Sequence, residues 1–262
     1  MNKLYLGTNT KMFKTRSETE SFLSTLAALT NDLSREQLEL FVIPSFTTLE
    51  TAGRTVSPDV IQLGAQNMCW EERGQFTGEV SPLMLQELGI KIVEIGHSER
   101  RHVFGETDEE ENRKVVCALS HGFTALLCVG ETGQQKEWGV SDEILSMQLK
   151  IGLHGVTPEM AKHLWVAYEP VWAIGVSGVP AKKEYASEKH AVIRNTLRSV
   201  LGKTADEVPL LYGGSVNPEN AVELIQMPEI DGLFIGRSAW DAANFNNIIR
   251  SVLPLWQAKS QQ

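Results

Sequence analysis

The sequence predicts an α/β fold: a (β/α)8 barrel, eight parallel strands surrounded by helices. Three observations lead there. Eight short apolar, β-rich runs recur along the chain, and longer amphipathic stretches separate them. The length, 262 residues, matches the roughly 250 of one such barrel. The expected organisation is a single domain over residues 1–262.

The candidate strands are Leu4–Thr8, Leu40–Ile43, Ile61–Ala65, Ile92–Ile95, Ala125–Val129, Leu164–Ala167, Pro209–Tyr212 and Gly232–Ile235. Continuous apolar runs are what strands buried on both faces look like. Helix signals fill the gaps. Ser17 to Leu29 puts Phe22, Leu23, Leu26 and Leu29 on one stripe. Thr107 and Glu110 have the spacing of a capping box. Pro158 and Pro218 each follow a plausible cap and are expected at the first helical position. The tail, Ala258–Gln262, is polar and expected to fray. An open doubly wound sheet meets the same alternation, and the count of eight favours closure. No Pro/Gly/Ser linker, low-complexity tract or solenoid-length repeat divides the chain.

Composition narrows the function. With 42% hydrophobic and 22% charged residues the chain reads as soluble and globular. The net charge of −9 leaves no basic footprint for a nucleic acid, yet does not exclude a phosphate substrate, whose recognition is local. Cys69, Cys117 and Cys128 are odd in number and widely spaced, so neither a disulfide framework nor a metal site is expected, and no cofactor. The N-terminal residues lack a signal-peptide core, and no apolar run approaches the ~18 residues of a membrane span. A cytoplasmic location without membrane partners is the expectation.

In such barrels chemistry sits at the C-terminal ends of the strands. There the sequence places Asn9-Thr10-Lys11, then Gly96-His97-Ser98-Glu99, then Tyr168-Glu169-Pro170, then Gly213-Gly214-Ser215 and Gly236-Arg237-Ser238. One ammonium, one imidazole, one carboxylate and several glycine turns converge on one rim. The set suits moving a carbonyl along a sugar phosphate. A desolvated carboxylate removes the α-proton, while a cation and an imidazole steady the enediolate. Backbone N–H groups in glycine turns receive the phosphate. Each piece alone has an ordinary reading, as a surface Lys, a structural His, a loop Glu or a plain turn; the argument rests on their convergence.

The segments GTNTKMF (7–13), GAQNM (64–68), GQFTGEVSPLML (74–85), EIGHSERRHVFGE (94–106), CVGET (128–132), AYEPVWAIG (167–175), LYGGSVNPEN (211–220) and DGLFIGRSAW (231–240) resemble the triosephosphate isomerase family, from Leu4 to about Leu253. The resemblance implies a TIM barrel and an aldose–ketose isomerase of a small phosphorylated sugar. It implies that Asn9 and Lys11 contact substrate, His97 polarises the carbonyl, Glu169 is the base, Glu99 partners the lysine and Ser98 supports the site. Gly175, Ser215 and Gly236 would hold the phosphate. In triosephosphate isomerase itself the imidazole is known to be kept neutral by a helix N-terminus. Thr77 matches the tip of a loop that enters a second subunit, which implies a homodimer.

Four departures fall on the pocket and lid. Thr10 stands where the family has Trp. The lid AIGVSGVPAKK (173–183) is one residue longer. Gly236-Arg237 replaces Gly-Gly, and Phe234 replaces a Leu over the base. Gly175 and Gly178 are expected to give the lid its torsional freedom, with Pro180 stiffening its far end. Arg237 either bonds the substrate phosphate or points to solvent and pairs with an acid. The stretches GAQNM-x-W (64–70), VWAIGVSGVPA (171–181) and 212–240 resemble more closely a group within the family, the erythrulose-phosphate (tetrulose-phosphate) isomerases of erythritol breakdown. The alternatives are a glycolytic and gluconeogenic triosephosphate isomerase, and a non-catalytic phosphosugar-binding relative.

Overall fold

Eight parallel strands close on themselves in chain order in the computed structural model, which describes residues 3–175 and 178–260. They are β1 (Leu4–Asn9), β2 (Leu38–Ile43), β3 (Gln62–Ala65), β4 (Ile92–Ile95), β5 (Thr124–Val129), β6 (Leu164–Tyr168), β7 (Leu210–Tyr212) and β8 (Gly232–Phe234). Around them run α1 (Arg16–Leu29), α2 (Leu49–Thr55), α3 (Pro82–Glu87), α4 (Ser98–His102) and α5 (Asp108–Ser120). Then come α6 (Gly133–Glu137), α7 (Ser141–Gly152), α8 (Lys183–Leu201), α9 (Ala221–Ile225) and α10 (Ala242–Ser260). The closed barrel decides against the open doubly wound sheet.

Every expected strand is present, Ile92–Ile95 with the expected bounds and the others with one or both ends shifted. β1 extends to Asn9 because its register with β2 continues to Ile43. Pro209 precedes β7, since it has no N–H to donate, although its carbonyl accepts from Val166 N at 3.0 Å. Strand parity sorts the side chains. Leu40 and Val42 face the helices, whereas Phe41 and Ile43 face the lumen with Ile92, Leu126, Trp165 and Phe234. Phe41 packs against Trp165 and Phe234 at ring-centroid distances of 5.4 and 5.7 Å. Gly7 makes room for it: a Cβ there would lie 2.2 Å from the Phe41 ring. The filled lumen leaves substrate only the rim.

Several helix starts follow the capping rules. Thr107 and Glu110 form the expected box on α5, and Thr15–Glu18 and Thr132–Gln135 do the same on α1 and α6. The two prolines are a correction: neither opens an α-helix. Pro158 lies in a turn before a short 3-10 segment, Met160–His163, where Thr157 Oγ1 accepts from Met160 N at 3.3 Å. Pro218 lies in a turn capped by Asn217, whose Oδ1 accepts from Glu219 N and Asn220 N at 2.9 and 3.0 Å; α9 starts only after that turn. The tail is a second correction. It stays helical to Ser260, with Gln261 and Gln262 outside the described residues: the Lys259 ammonium donates to the carbonyls of Ile225, the last residue of α9, and of Met227 and Ile230 beyond it.

Candidate active site

At the rim, Asn9, Lys11, His97, Glu169, Gly175, Ser215, Gly236 and Arg237 line one cavity of about 450 Å³. Ser98 and Glu99 stand behind it. Thr77 is exposed and does not line it.

The turn after β1 is held from several sides. Among the described residues Lys11 is the one non-glycine residue in left-handed backbone, with φ 50°. Such a residue costs about 1–3 kcal/mol and persists only where its surroundings fix it. Here the Lys11 N–H donates to Asn9 Oδ1 at 2.6 Å, and the Lys11 carbonyl accepts from Ser45 Oγ at 2.8 Å and Gln66 Nε2 at 2.9 Å. The ammonium reaches Glu99 Oε1 at 2.6 Å.

His97 follows the left-handed Gly96 and caps α4. Its Nδ1 accepts the Glu99 backbone N–H at 3.1 Å. An amide can only donate, so Nδ1 carries no proton and the neutral ring has its proton on Nε2. Nε2 lies 3.7 Å from Glu169 Oε1, too long for a hydrogen bond, with both atoms on the same cavity.

Glu169 directly follows β6 and is 3% exposed. Its Oε2 accepts the Ser98 N–H at 3.3 Å. Two glycines admit it: a Cβ on Gly130 would lie 2.0 Å from the Glu169 carbonyl oxygen, and one on Gly213 would lie 2.9 Å from Glu169 Cγ.

Two buried acids escape the sequence reading. Glu131 accepts from Tyr168 Oη at 3.0 Å, Trp172 Nε1 at 2.9 Å and Tyr185 Oη at 2.9 Å. It thereby anchors the start of the loop after β6. Glu94 sits in the apolar run of β4, where its parity with Ile92 turns it into the lumen. Its Oε2 accepts Asn9 Nδ2 at 2.6 Å, and the Cys128 thiol faces Oε1 at 3.9 Å. Burial, then the Glu169 charge, hold the Glu94 carboxyl well above the usual carboxylate range; Lys11 and the Asn9 bond oppose this. Burial pushes the Cys128 thiol up as well. One donor atom each from Glu94, Cys128 and Glu169 lies within 4.8 Å of the others, the spacing of a candidate cation site. Burial disfavours the deprotonated form of two of the three, Glu94 and Cys128, and a cation needs deprotonated ligands, so the donor set fits a metal poorly.

The phosphate side is built from turns. Gly175 has φ 85°, the left-handed torsion expected of a lid glycine. Gly178 has a packing reason of its own. A Cβ there would meet the Ala173 backbone at 2.6 Å, so glycine is needed for close packing. Val176 and Ser177 of the lid lie outside the described residues. Arg237 is exposed at the cavity edge, and its guanidinium has no acid partner among the described residues. Thr10 is buried with its Oγ1 unpartnered among the described residues, and the Trp240 indole donates to the Asn9 carbonyl at 2.9 Å. Phe234 lines the cavity.

Residues 4–252 match the family model described as triosephosphate isomerase. A relative from Rhizobium etli named L-erythrulose-1-phosphate isomerase is 48% identical over 251 residues, covering 95% of this chain and 92% of the relative. Proteins of the same name from Rhizobium meliloti and Mesorhizobium japonicum are each 45% identical, covering 95% and 94% of this chain and 96% and 95% of their own lengths. Fold, rim and sequence agree: the chain belongs to the triosephosphate isomerase family.

Proposed function

We propose that this isomerase acts on erythrulose 1-phosphate, moving its carbonyl through an enediolate. The observation that carries the reading is the facing pair, His97 Nε2 and Glu169 Oε1 at 3.7 Å, on one cavity with Lys11. The names of the relatives supply the substrate.

The substrate dictates which carbons react. C1 carries the phosphate ester, so the carbonyl at C2 exchanges with the carbinol carbon C3. It is the enediolate chemistry of an aldose–ketose isomerase run on two inner carbons, so that one ketose phosphate becomes another. Glu169 removes the C3 proton and becomes neutral, and negative charge develops on O2. His97 Nε2–H and the Lys11 ammonium stabilise that charge, while Asn9 supplies a further donor. The O3 proton passes to O2 by way of the imidazole. Glu169 returns its proton to C2, leaving a carbonyl at C3. Gly175, Ser215, Gly236 and Arg237 hold the phosphate, with Ser98 and Glu99 behind the reacting groups. Thr10, in place of a Trp, gives space for the added hydroxymethyl group.

The whole chain acts as one domain in this reading, in the cytoplasm, in erythritol breakdown. A homodimer joined through the Thr77 loop is part of it. Met12, Phe13, Val103 and Phe104, exposed beside the catalytic turns, support a partner surface.

The test compares kcat/KM on erythrulose 1-phosphate, dihydroxyacetone phosphate and glyceraldehyde 3-phosphate. The four-carbon substrate is expected to win. Shape alone gives about 10–200-fold per methylene-sized group. A tenfold advantage for the three-carbon substrates makes the protein a triosephosphate isomerase, and no turnover of any makes it a binding protein.

A further inference from the structure

We propose that Glu94 is a positioning residue: an uncharged carboxylic acid beneath the site that aims the Asn9 amide and keeps a second negative charge away from Glu169. The proposal rests on the roles given above to Asn9 and Glu169.

The Asn9 amide is wired at both ends. Its Oδ1 accepts from the Lys11 N–H at 2.6 Å and from Gln66 Nε2 at 2.9 Å. Its Nδ2 donates one hydrogen to Glu94 Oε2 at 2.6 Å, which leaves the second for the cavity that Asn9 lines. A flipped amide would set Nδ2 against the Lys11 and Gln66 donors, so those two fix which end of Asn9 is the oxygen. Glu94 Oε2 then holds one Nδ2 hydrogen and so aims the other at the cavity.

Its charge state follows from its surroundings. Glu94 is wholly buried and lies in the same 4.8 Å cluster as Glu169 and Cys128. Two carboxylates this close, in a lumen packed with Phe41, Ile92 and Trp165, do not both ionise, and the deeper one keeps the proton. The groups that act on it come from every side. Glu169, after β6, and Glu99, in α4, both oppose ionisation; Lys11, after β1, favours it. Cys128 faces it from β5, and β3 brings no ionisable group. When Glu94 ionises at high pH, it puts a negative charge under the forming enediolate and slows the reaction.

Three measurements on the full chain test this. The infrared spectrum of the protein should contain the carbonyl band of a buried protonated acid, lost in Glu94→Gln, at pH values from roughly neutral to mildly alkaline. Glu94→Gln, which keeps an acceptor for Asn9 and cannot ionise, should lose less than about threefold in neutral kcat/KM. Glu94→Leu, which leaves the amide unaimed, should lose ~10²-fold. The alkaline fall of kcat should move up or disappear in Glu94→Gln. A wild-type spectrum without the band, or an unchanged alkaline limb in Glu94→Gln, overturns the proposal. If Glu94→Leu fails to fold, the glutamine variant still decides. The infrared readout is independent of turnover, so failure of the proposed reaction and failure of this assignment are separable.

Discussion

The Lys11 ammonium rests on the Glu99 carboxylate, Nζ to Oε1 2.6 Å, while the Glu99 backbone N–H donates to His97 Nδ1 at 3.1 Å. One residue thus sets the direction of the cation and the tautomer of the imidazole. As an ion pair the contact is worth little, about 0–1 kcal/mol, since the Glu99 side chain is 48% exposed. Its value is geometric, coupling two rim groups from different strands.

The base is the first test. Glu169→Asp draws the carboxylate back by about one methylene, and a displacement of ~1 Å costs ~10²-fold in kcat. Binding should change little. Steady-state kinetics with both constants measured checks this, and an unaltered kcat removes Glu169 from the reaction.

Arg237 stands at the cavity edge with no acid partner among the described residues, which favours the phosphate role over a surface ion pair. Loss of a charge-assisted bond costs about 1.5–3 kcal/mol, so Arg237→Ala should raise KM by roughly tenfold or more. Circular dichroism should show no loss of fold. Equal KM in both proteins would return Arg237 to the role of a solvated side chain.

Assembly is tested at the exposed loop that carries Phe76 and Thr77. Stable dimers bury about 1,200–2,000 Å², and a charge forced into such a surface finds no partner. Thr77→Arg should sediment as a monomer and lose activity with it. A wild-type protein that sediments as a fully active monomer refutes the dimer.

Acid stability follows from His190. It is wholly buried; burial pushes its imidazole down to about 3, and Nδ1 bonds the Glu229 carbonyl at 3.0 Å. The unfolded chain takes up a proton near pH 6.5 while the folded chain does not. Stability is therefore full above that pH and declines as pH falls through it. From pH 7 to pH 5 this one group should remove about 2 kcal/mol. Denaturant melts at the two pH values check it, and His190→Asn, which keeps a donor and loses the titration, should flatten the difference by that amount.

Much of this was legible in the chain. Eight apolar runs gave eight strands because parallel barrel strands are buried on both faces. Lys11, His97 and Glu169 stood out because each lies within three residues of the end of such a run. Glu94 did not, since it lies inside a run, and only closure of the barrel turns its parity towards Asn9. Lys259 looked like part of a loose tail because its carbonyl partners lie some thirty residues earlier. Pro218 misled because Asn217 caps a turn there before it leads into a helix.

Gly130 touches no substrate, yet its missing side chain is what lets the carbonyl of Glu169 pass. A growth-based screen of every single substitution would score it with the base itself, and a reader of that map would count one reactive group too many. Comparing soluble yield with turnover tells them apart: a defective base leaves an abundant, folded, idle protein, whereas a crowded neighbour depletes the protein first.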